Sequence, residues 1–159
     1  VKSFEHGYLY EMPISHGLLS TIGALGEFRG REGLYTRQSP EVLETVRMID
    51  VIWLKPGTSE IVSAFEVEKS TSIYSGILRM EDLARSIPDC TCHFYLVAPD
   101  QREKDVMAQL ARPAFRGDLA DISLAFIPFN DLRENCDALC KFGEDHTIVQ
   151  KIARHHQFT

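Results

Sequence analysis

The sequence predicts a single α/β domain, and three features carry this prediction. The apolar, β-rich segments "VRMIDVIWL" (46–54) and "IVSAFEVE" (61–68) flank the turn "KPGTSE", which favours a β-hairpin. From Ser70 to Ile87, apolar residues recur at intervals of three and four, as in an amphipathic helix. The segments "CHFYLVAP" and "ISLAFIPF" are nearly all apolar, which is typical of strands buried on both faces of a sheet.

Along the chain, the expected order is helix, three strands, helix, strand, helix, strand, helix. Residues 15–28 have helical periodicity behind a capping Ser15, and "LYTRQ" is a short first strand before the hairpin. The helix that follows the hairpin is expected to be capped by Ser70 or Thr71. Later helices are expected in "DQREKDVMAQLARPAF", "DLRENCDALCKF" and "TIVQKIARHH", with His155 and His156 in a tail.

Length and composition set the broad class of protein. A chain of 159 residues that is 44% hydrophobic is long enough for one well-packed domain and too short for two. It has neither an apolar run of the ~20 residues that a membrane span needs nor a start resembling a secretion signal, so we expect a soluble, cytoplasmic protein. The first residue is Val1, which is compatible with a C-terminal or excised part of a longer protein.

Charge and cysteine content limit the candidate partners and metals. A formal net charge of -6 argues against binding nucleic acid through the overall field of the domain, because that requires clustered Lys and Arg. A local basic track remains open, since Arg29, Arg31, Arg37 and Lys55 either line one rim or are scattered surface charges. The pairs "CTC" and "CDALC" lack the two-residue gap of a zinc knuckle, so free buried thiols are expected.

Carboxylates gather at the end of the hairpin's second strand. Because side chains alternate across a strand, Glu66 and Glu68 share one face, while Phe65 and Val67 share the other. We expect the apolar pair to face the covering helix and the glutamates to project from the opposite surface. Asp50 stands alone in the apolar run "MIDVIW", and a hairpin can place it beside the two glutamates.

Three carboxylates that lie close together repel one another, and a hard divalent cation is the usual partner. Mg²⁺ prefers oxygen ligands and keeps several waters, so one or two carboxylates and a substrate phosphate complete its shell. Such a site fits hydrolysis of a phosphodiester. The alternative is that Glu66 and Glu68 are merely the outward-facing residues of a half-exposed edge strand.

These residues resemble the PD-(D/E)XK nuclease superfamily, the restriction-endonuclease-like fold. That fold has an αβββαβ core with a central mixed sheet flanked by helices, and extra C-terminal strand and helices would follow here. The family's metal site uses an acid on the second core strand and an acid-x-Lys or acid-x-acid pair on the third. Asp50, Glu66 and Glu68 match these positions as a Glu-x-Glu variant, whereas Lys69 stands one place after the usual lysine.

The stretch "FEVEKSTSIYSGILRMEDL" also resembles bacterial nuclease-like domains in which a Glu-Val-Glu strand leads into a Ser/Thr-rich turn and a helix with an Arg. The resemblance implies Asp50, Glu66 and the backbone carbonyl of Val67 as ligands of Mg²⁺, for which Mn²⁺ substitutes. It implies that Glu68 orients or deprotonates the attacking water, and that Lys69 helps to stabilise the transition state if it faces the site.

Substrate contacts are expected from four further residues: Ser70, Thr71, Arg79 and His16. A helix start can hold a phosphate through its free N–H groups, although plain capping is the more common role. Arg79 is expected to reach a DNA phosphate, the metal-site acids or a surface ion pair. His16 belongs to the first helical region, as does Glu27, and each is either an accessory site residue or a solvated one.

The resemblance implies a metal-dependent DNA endonuclease of restriction or defence type. The net negative charge of the chain suggests that a partner domain, a partner chain or the second copy in a homodimer recognises the target. The main alternative is a catalytically inactive domain of the same fold that serves in binding or assembly, and a plain α/β protein without phosphodiester chemistry is the third interpretation.

Overall fold

The computed structural model describes residues 48–54, 61–70, 72–86, 91–116, 122–141 and 147–155. Elements are numbered here within these ranges. The predicted first helix and the strand "LYTRQ" lie outside them, as do the candidate residues His16, Glu27, Arg29, Arg31, Arg37, Lys55 and Thr71.

The described residues form one mixed five-stranded sheet with helices on its two faces, which confirms the predicted α/β fold. The strands are β1 (Val51–Leu54), β2 (Ile61–Val67), β3 (His93–Ala98), β4 (Ser123–Pro128) and β5 (Arg154–His155). They lie side by side in chain order. β1 and β2 form the predicted antiparallel hairpin, β2 to β4 are parallel, and β5 pairs antiparallel with β4.

The helices connect these strands. The long helix α1 (Ile73–Ser86) joins β2 to β3, and a 3₁₀ turn (Asp100–Arg102), α2 (Glu103–Leu110) and α3 (Pro113–Arg116) join β3 to β4. The helices α4 (Phe129–Glu134), α5 (Cys136–Lys141) and α6 (Thr147–Ile152) follow β4. None of the helices in the described part of the chain combines the length and the apolar character that crossing a bilayer requires.

Both faces of β2 are buried, each against its own core. The α1 face includes Ala64 of β2 together with Ile77 and Met80 of α1. The opposite core contains Phe65 and Val67 and is completed by α4, α5 and α6. The alternation of residues along β2 is therefore as predicted, but the glutamates share the face that α1 covers and not an open surface. The reason is that parallel strands joined by helical crossovers are covered on both sides.

Three local predictions were wrong. Helix α1 is capped by Ser72, whose carbonyl and hydroxyl oxygens accept the N–H of Ser75, because the apolar periodicity begins only at Ile73. His155 lies in β5 and not in a tail, since the edge of β4 offers unpaired backbone groups. Cys92 is buried and disulfide-bonded, whereas Cys136 lies outside any disulfide and is partly exposed.

Candidate functional site

The three predicted acids come together where β2 ends. In the hairpin register Val51 lies opposite Phe65, and one further step brings Asp50 opposite Glu66. Asp50 directly precedes β1, and its Oδ2 accepts the backbone N–H of Val67 at 2.8 Å. This bond attaches the start of one strand to the end of the other.

Arg79 of α1 supplies a cation to this group. Its Nε donates to Oε1 of Glu66 at 2.8 Å and its Nη2 donates to Oε2 at 2.5 Å, so both carboxylate oxygens are engaged. The same Nη2 lies 3.2 Å from Oε1 of Glu68. Two acids two residues apart at the end of β2 therefore share one planar guanidinium, a geometry that arginine provides and lysine does not.

A glycine in α1 makes room for the second glutamate. Gly76 lies one helical turn before Arg79, and a Cβ at Gly76 would stand 2.7 Å from Oε1 of Glu68. The helix thus approaches the carboxylate more closely than an alanine would allow.

Neighbouring segments hold the backbone of Glu68 in place. Its N–H donates to the carbonyl of Val97 at 2.8 Å, which continues the parallel pairing of β2 with β3. Its carbonyl accepts Nη1 of Arg102 at 2.7 Å, from the turn after β3. The site consequently lies at the carboxyl ends of the parallel strands, where ligands bind in open α/β sheets.

Burial governs the electrostatics of the site. Glu66 and Glu68 are almost fully buried, at 0% and 2% side-chain exposure, and Arg79 retains 21%. Burial raises the pKa of Glu66 to about 8, against the lowering effect of the Arg79 hydrogen bonds, and the charges of Asp50 and Glu68 add to the rise. The hydrogen bonds that Arg79 donates to Glu66 raise the pKa of Arg79.

The raised pKa of Glu66 favours a neutral carboxyl, whereas the raised pKa of Arg79 reflects an ionised Glu66 beside it. The contacts seen here belong to the ionised form, which prevails above the raised pKa of about 8, because both oxygens of Glu66 accept an N–H and a protonated carboxyl would lose one of these bonds. Burial nevertheless makes the Glu66 carboxylate far readier to take up a proton than an exposed one.

The other predicted residues are less closely involved. Lys69 is partly exposed and Ser70 is exposed just beyond β2, whereas Arg79 contacts the carboxylates of both Glu66 and Glu68. Val67 contributes its backbone N–H to Asp50. Thr71 and His16 lie outside the described residues.

Two residues of the site escaped the sequence analysis. Gly76 precedes Arg79 by three positions on one helix face, and this spacing after an acidic strand is a signal that could have identified it. Arg102 left no such signal, because its contact with Glu68 depends on the turn that follows a different strand.

The donor set fits a divalent cation in its chemistry. Asp50, Glu66 and Glu68 offer carboxylate oxygens, the ligands that hard cations prefer. In the arrangement present, no group of three or more His, Cys, Asp or Glu side chains among the described residues is placed to hold a metal. Arg79 instead engages both oxygens of Glu66, and metal binding stays a prediction.

Together, the sheet and this cluster define an α/β domain with a buried carboxylate–guanidinium site at the end of a parallel strand. Residues 31–152 match the family described as "Type II restriction enzyme NmeDI C-terminal domain". The match spans well over half of the chain, and the chain therefore belongs to this family. Comparison with curated proteins and with solved structures gives no match.

Proposed function

We propose that this domain is a metal-dependent DNA endonuclease of restriction type, built on the PD-(D/E)XK plan in its Glu-x-Glu form. The observation that carries the proposal is the meeting of Asp50, Glu66 and Glu68 at the carboxyl end of β2. Membership in a restriction-enzyme domain family supports the same conclusion, because it makes DNA the expected substrate.

In this proposal, Asp50, Glu66 and the carbonyl of Val67 hold Mg²⁺ or Mn²⁺. When bound, the ion activates water and stabilises negative charge that develops on the phosphate. The chain's own groups position the donors: the Val67 N–H orients Asp50, and Arg79 and the close approach at Gly76 fix the carboxylate of Glu68.

Glu68 is proposed to orient the attacking water and accept its proton. Its backbone is anchored on both sides by Val97 and Arg102, so its carboxylate can be held in one place, as general-base catalysis requires. Lys69 and Ser70 stand directly after it and are proposed, with Thr71 and His16, to contact the phosphate backbone. Lys69 would add positive charge near the transition state.

Cleavage of supercoiled plasmid DNA with Mg²⁺ or Mn²⁺ tests this proposal. We expect nicked and linear products from the wild-type chain, and loss of cleavage by at least about a hundredfold in Asp50→Asn, since an isosteric amide removes a metal ligand. Asp82→Asn is the matched control, because Asp82 is exposed on α1 and is not one of the acids of the proposed site. Equal cleavage by wild type and Asp50→Asn would contradict the assignment.

A second candidate is a catalytically inactive module of the same fold that serves in binding or assembly. The observation that favours it is the engagement of both Glu66 oxygens by Arg79, which makes the acids a structural ion-pair cluster. This candidate predicts that the domain binds no divalent metal and cuts no DNA, while Asp50→Asn alters only stability.

The net charge of -6 bears on target recognition in either case. A domain with this charge gains little from counterion release when it meets DNA. We therefore propose that a partner domain, a partner chain or a second copy of this chain supplies much of the DNA affinity.

A further inference from the structure

The guanidinium of Arg79 contacts the carboxylate of Glu66, which the proposed metal also requires. It engages both oxygens of Glu66 and one oxygen of Glu68, at distances of 2.5 to 3.2 Å. Both acids are buried, so these contacts are shielded from water and are stronger than an exposed ion pair.

Two cations cannot share these oxygens without a large repulsion. A carboxylate has lone pairs beyond those that Arg79 uses, but a divalent ion on Glu66 would stand within a few ångströms of the guanidinium in a buried setting. Of the two partners, Arg79 is the one that reaches solvent, because its side chain is 21% exposed. Glu66 is fully buried on β2, which is paired with a strand on each side.

We propose that Arg79 is a positioning residue that competes with the divalent metal for Glu66. In the metal-free domain it neutralises part of the acidic charge and holds Glu66 and Glu68 in place. Metal binding requires Arg79 to withdraw from Glu66, so the ion pair lowers the metal affinity, and by linkage the metal weakens the ion pair by the same factor. This inference rests on the metal site of the proposed function.

The competition gives Arg79 an effect on metal affinity opposite to that of a purely structural residue. If Arg79 only held the acids in place, its removal would weaken both folding and metal binding. If it competes, its removal weakens folding of the metal-free chain but tightens metal binding. The two measurements together separate these roles.

The test compares wild type, Arg79→Gln and Arg85→Gln by titration calorimetry with Mn²⁺ alone and by thermal unfolding without metal. We expect Arg79→Gln to lower the metal-free melting temperature and to bind Mn²⁺ about tenfold more tightly, a coupling of ordinary size. Arg85 is the matched control, since its exposed side chain lies on the same helix and pairs with the buried Glu81, away from Glu66 and Glu68. Arg85→Gln should bind Mn²⁺ as wild type does.

Mn²⁺ affinity in Arg79→Gln that equals or falls below that of wild type overturns the inference. Should Arg79→Gln fail to fold, Arg79→Lys provides the same comparison, because lysine keeps the charge but loses the two-pronged contact, and it should bind Mn²⁺ more tightly than wild type. If wild type binds Mn²⁺ and cuts plasmid DNA while neither variant binds more tightly, the inference fails and the proposed function stands. If no variant and no wild type binds Mn²⁺, the metal site itself is wrong and both fail.

Discussion

Replacing Gly76 by alanine places a methyl carbon 2.7 Å from Oε1 of Glu68 and 3.4 Å from its Cγ and Cδ. The carboxylate of Glu68 must then move, although it is buried and the same oxygen accepts Nη2 of Arg79 at 3.2 Å. The substitution therefore breaks a specific contact in the site, at a helix position where alanine is otherwise the better residue.

Two opposing effects decide the size of the change. Alanine in a helix interior is favoured over glycine by about 1 kcal/mol. Loss of a buried hydrogen bond between charged groups costs about 1.5–3 kcal/mol. We expect Gly76→Ala to reduce the free energy of unfolding by about 1 kcal/mol, which lowers the melting temperature of a domain of this size by roughly 2–4 °C.

Removing Glu68 should reverse the sign of this effect. In a Glu68→Ala background the carboxylate is gone, so Gly76→Ala should raise the free energy of unfolding by about 1 kcal/mol through helix propensity alone. Urea unfolding of the four chains, monitored by circular dichroism, measures both differences. A Gly76→Ala substitution that stabilises the otherwise wild-type chain would refute the argument. It would mean that the Glu68 carboxylate can move aside without lowering the free energy of unfolding.

Three further predictions concern pH, the core and the helix cap. Because burial raises the folded-state pKa of Glu66 to about 8, its stabilising contribution is complete below about pH 4.5 and is lost as the pH rises to about 8. The unfolding free energy of wild type minus that of Glu66→Gln should fall across this window in chemical denaturation, and a rise would show that burial does not dominate. Phe65→Ala should destabilise the domain by about 3–5 kcal/mol, since the Phe65 ring is fully buried and its centroid lies 4.7 Å from that of the Trp53 ring. Trp53 is the single tryptophan of the chain, so its fluorescence reports the unfolding transition. A loss below ~1 kcal/mol would contradict the packing. Ser72→Ala should cost about 0.5–1 kcal/mol in thermal unfolding, and Ser70→Ala less than about 0.5 kcal/mol; equal losses would argue against Ser72 as the cap.

The pH prediction follows from the folded state holding a proton that the unfolded state releases. Between the unfolded pKa of 4.5 and the folded pKa of about 8, the folded chain binds more protons, so its relative stability decreases as the pH rises. The difference from Glu66→Gln removes the contributions of all other titrating groups that the two chains share. Above about pH 8 the difference should no longer change.

Local periodicity allowed the relative placement of the three acids to be predicted. Alternation along "AFEVE" correctly placed Glu66 and Glu68 on one face of β2, and the hairpin turn correctly brought Asp50 to them. The three-and-four spacing from Ile73 correctly indicated α1. These successes share a cause, because each depends on residues close together in the chain or on a single tight turn.

Contacts between elements distant in sequence could not be predicted in this way. Arg79 pairs with Glu66 and Glu68 because of the way α1 packs on β2, and its position in the sequence does not specify these partners. The contact of Arg102 with the Glu68 carbonyl depends on the parallel pairing of β2 and β3. The glutamates were expected on an open surface, whereas the crossover helix covers them.

The amino-acid sequence by itself thus determined which acids share a face, which strands form a hairpin and where α1 runs, because periods of two and 3.6 residues are properties of the local backbone. Only the tertiary structure decided that these acids are buried and that an arginine stands among them. The physical reason is that a buried charge is stabilised by whichever opposite charge the packing of separate elements brings within hydrogen-bonding distance, and sequence spacing does not encode that distance.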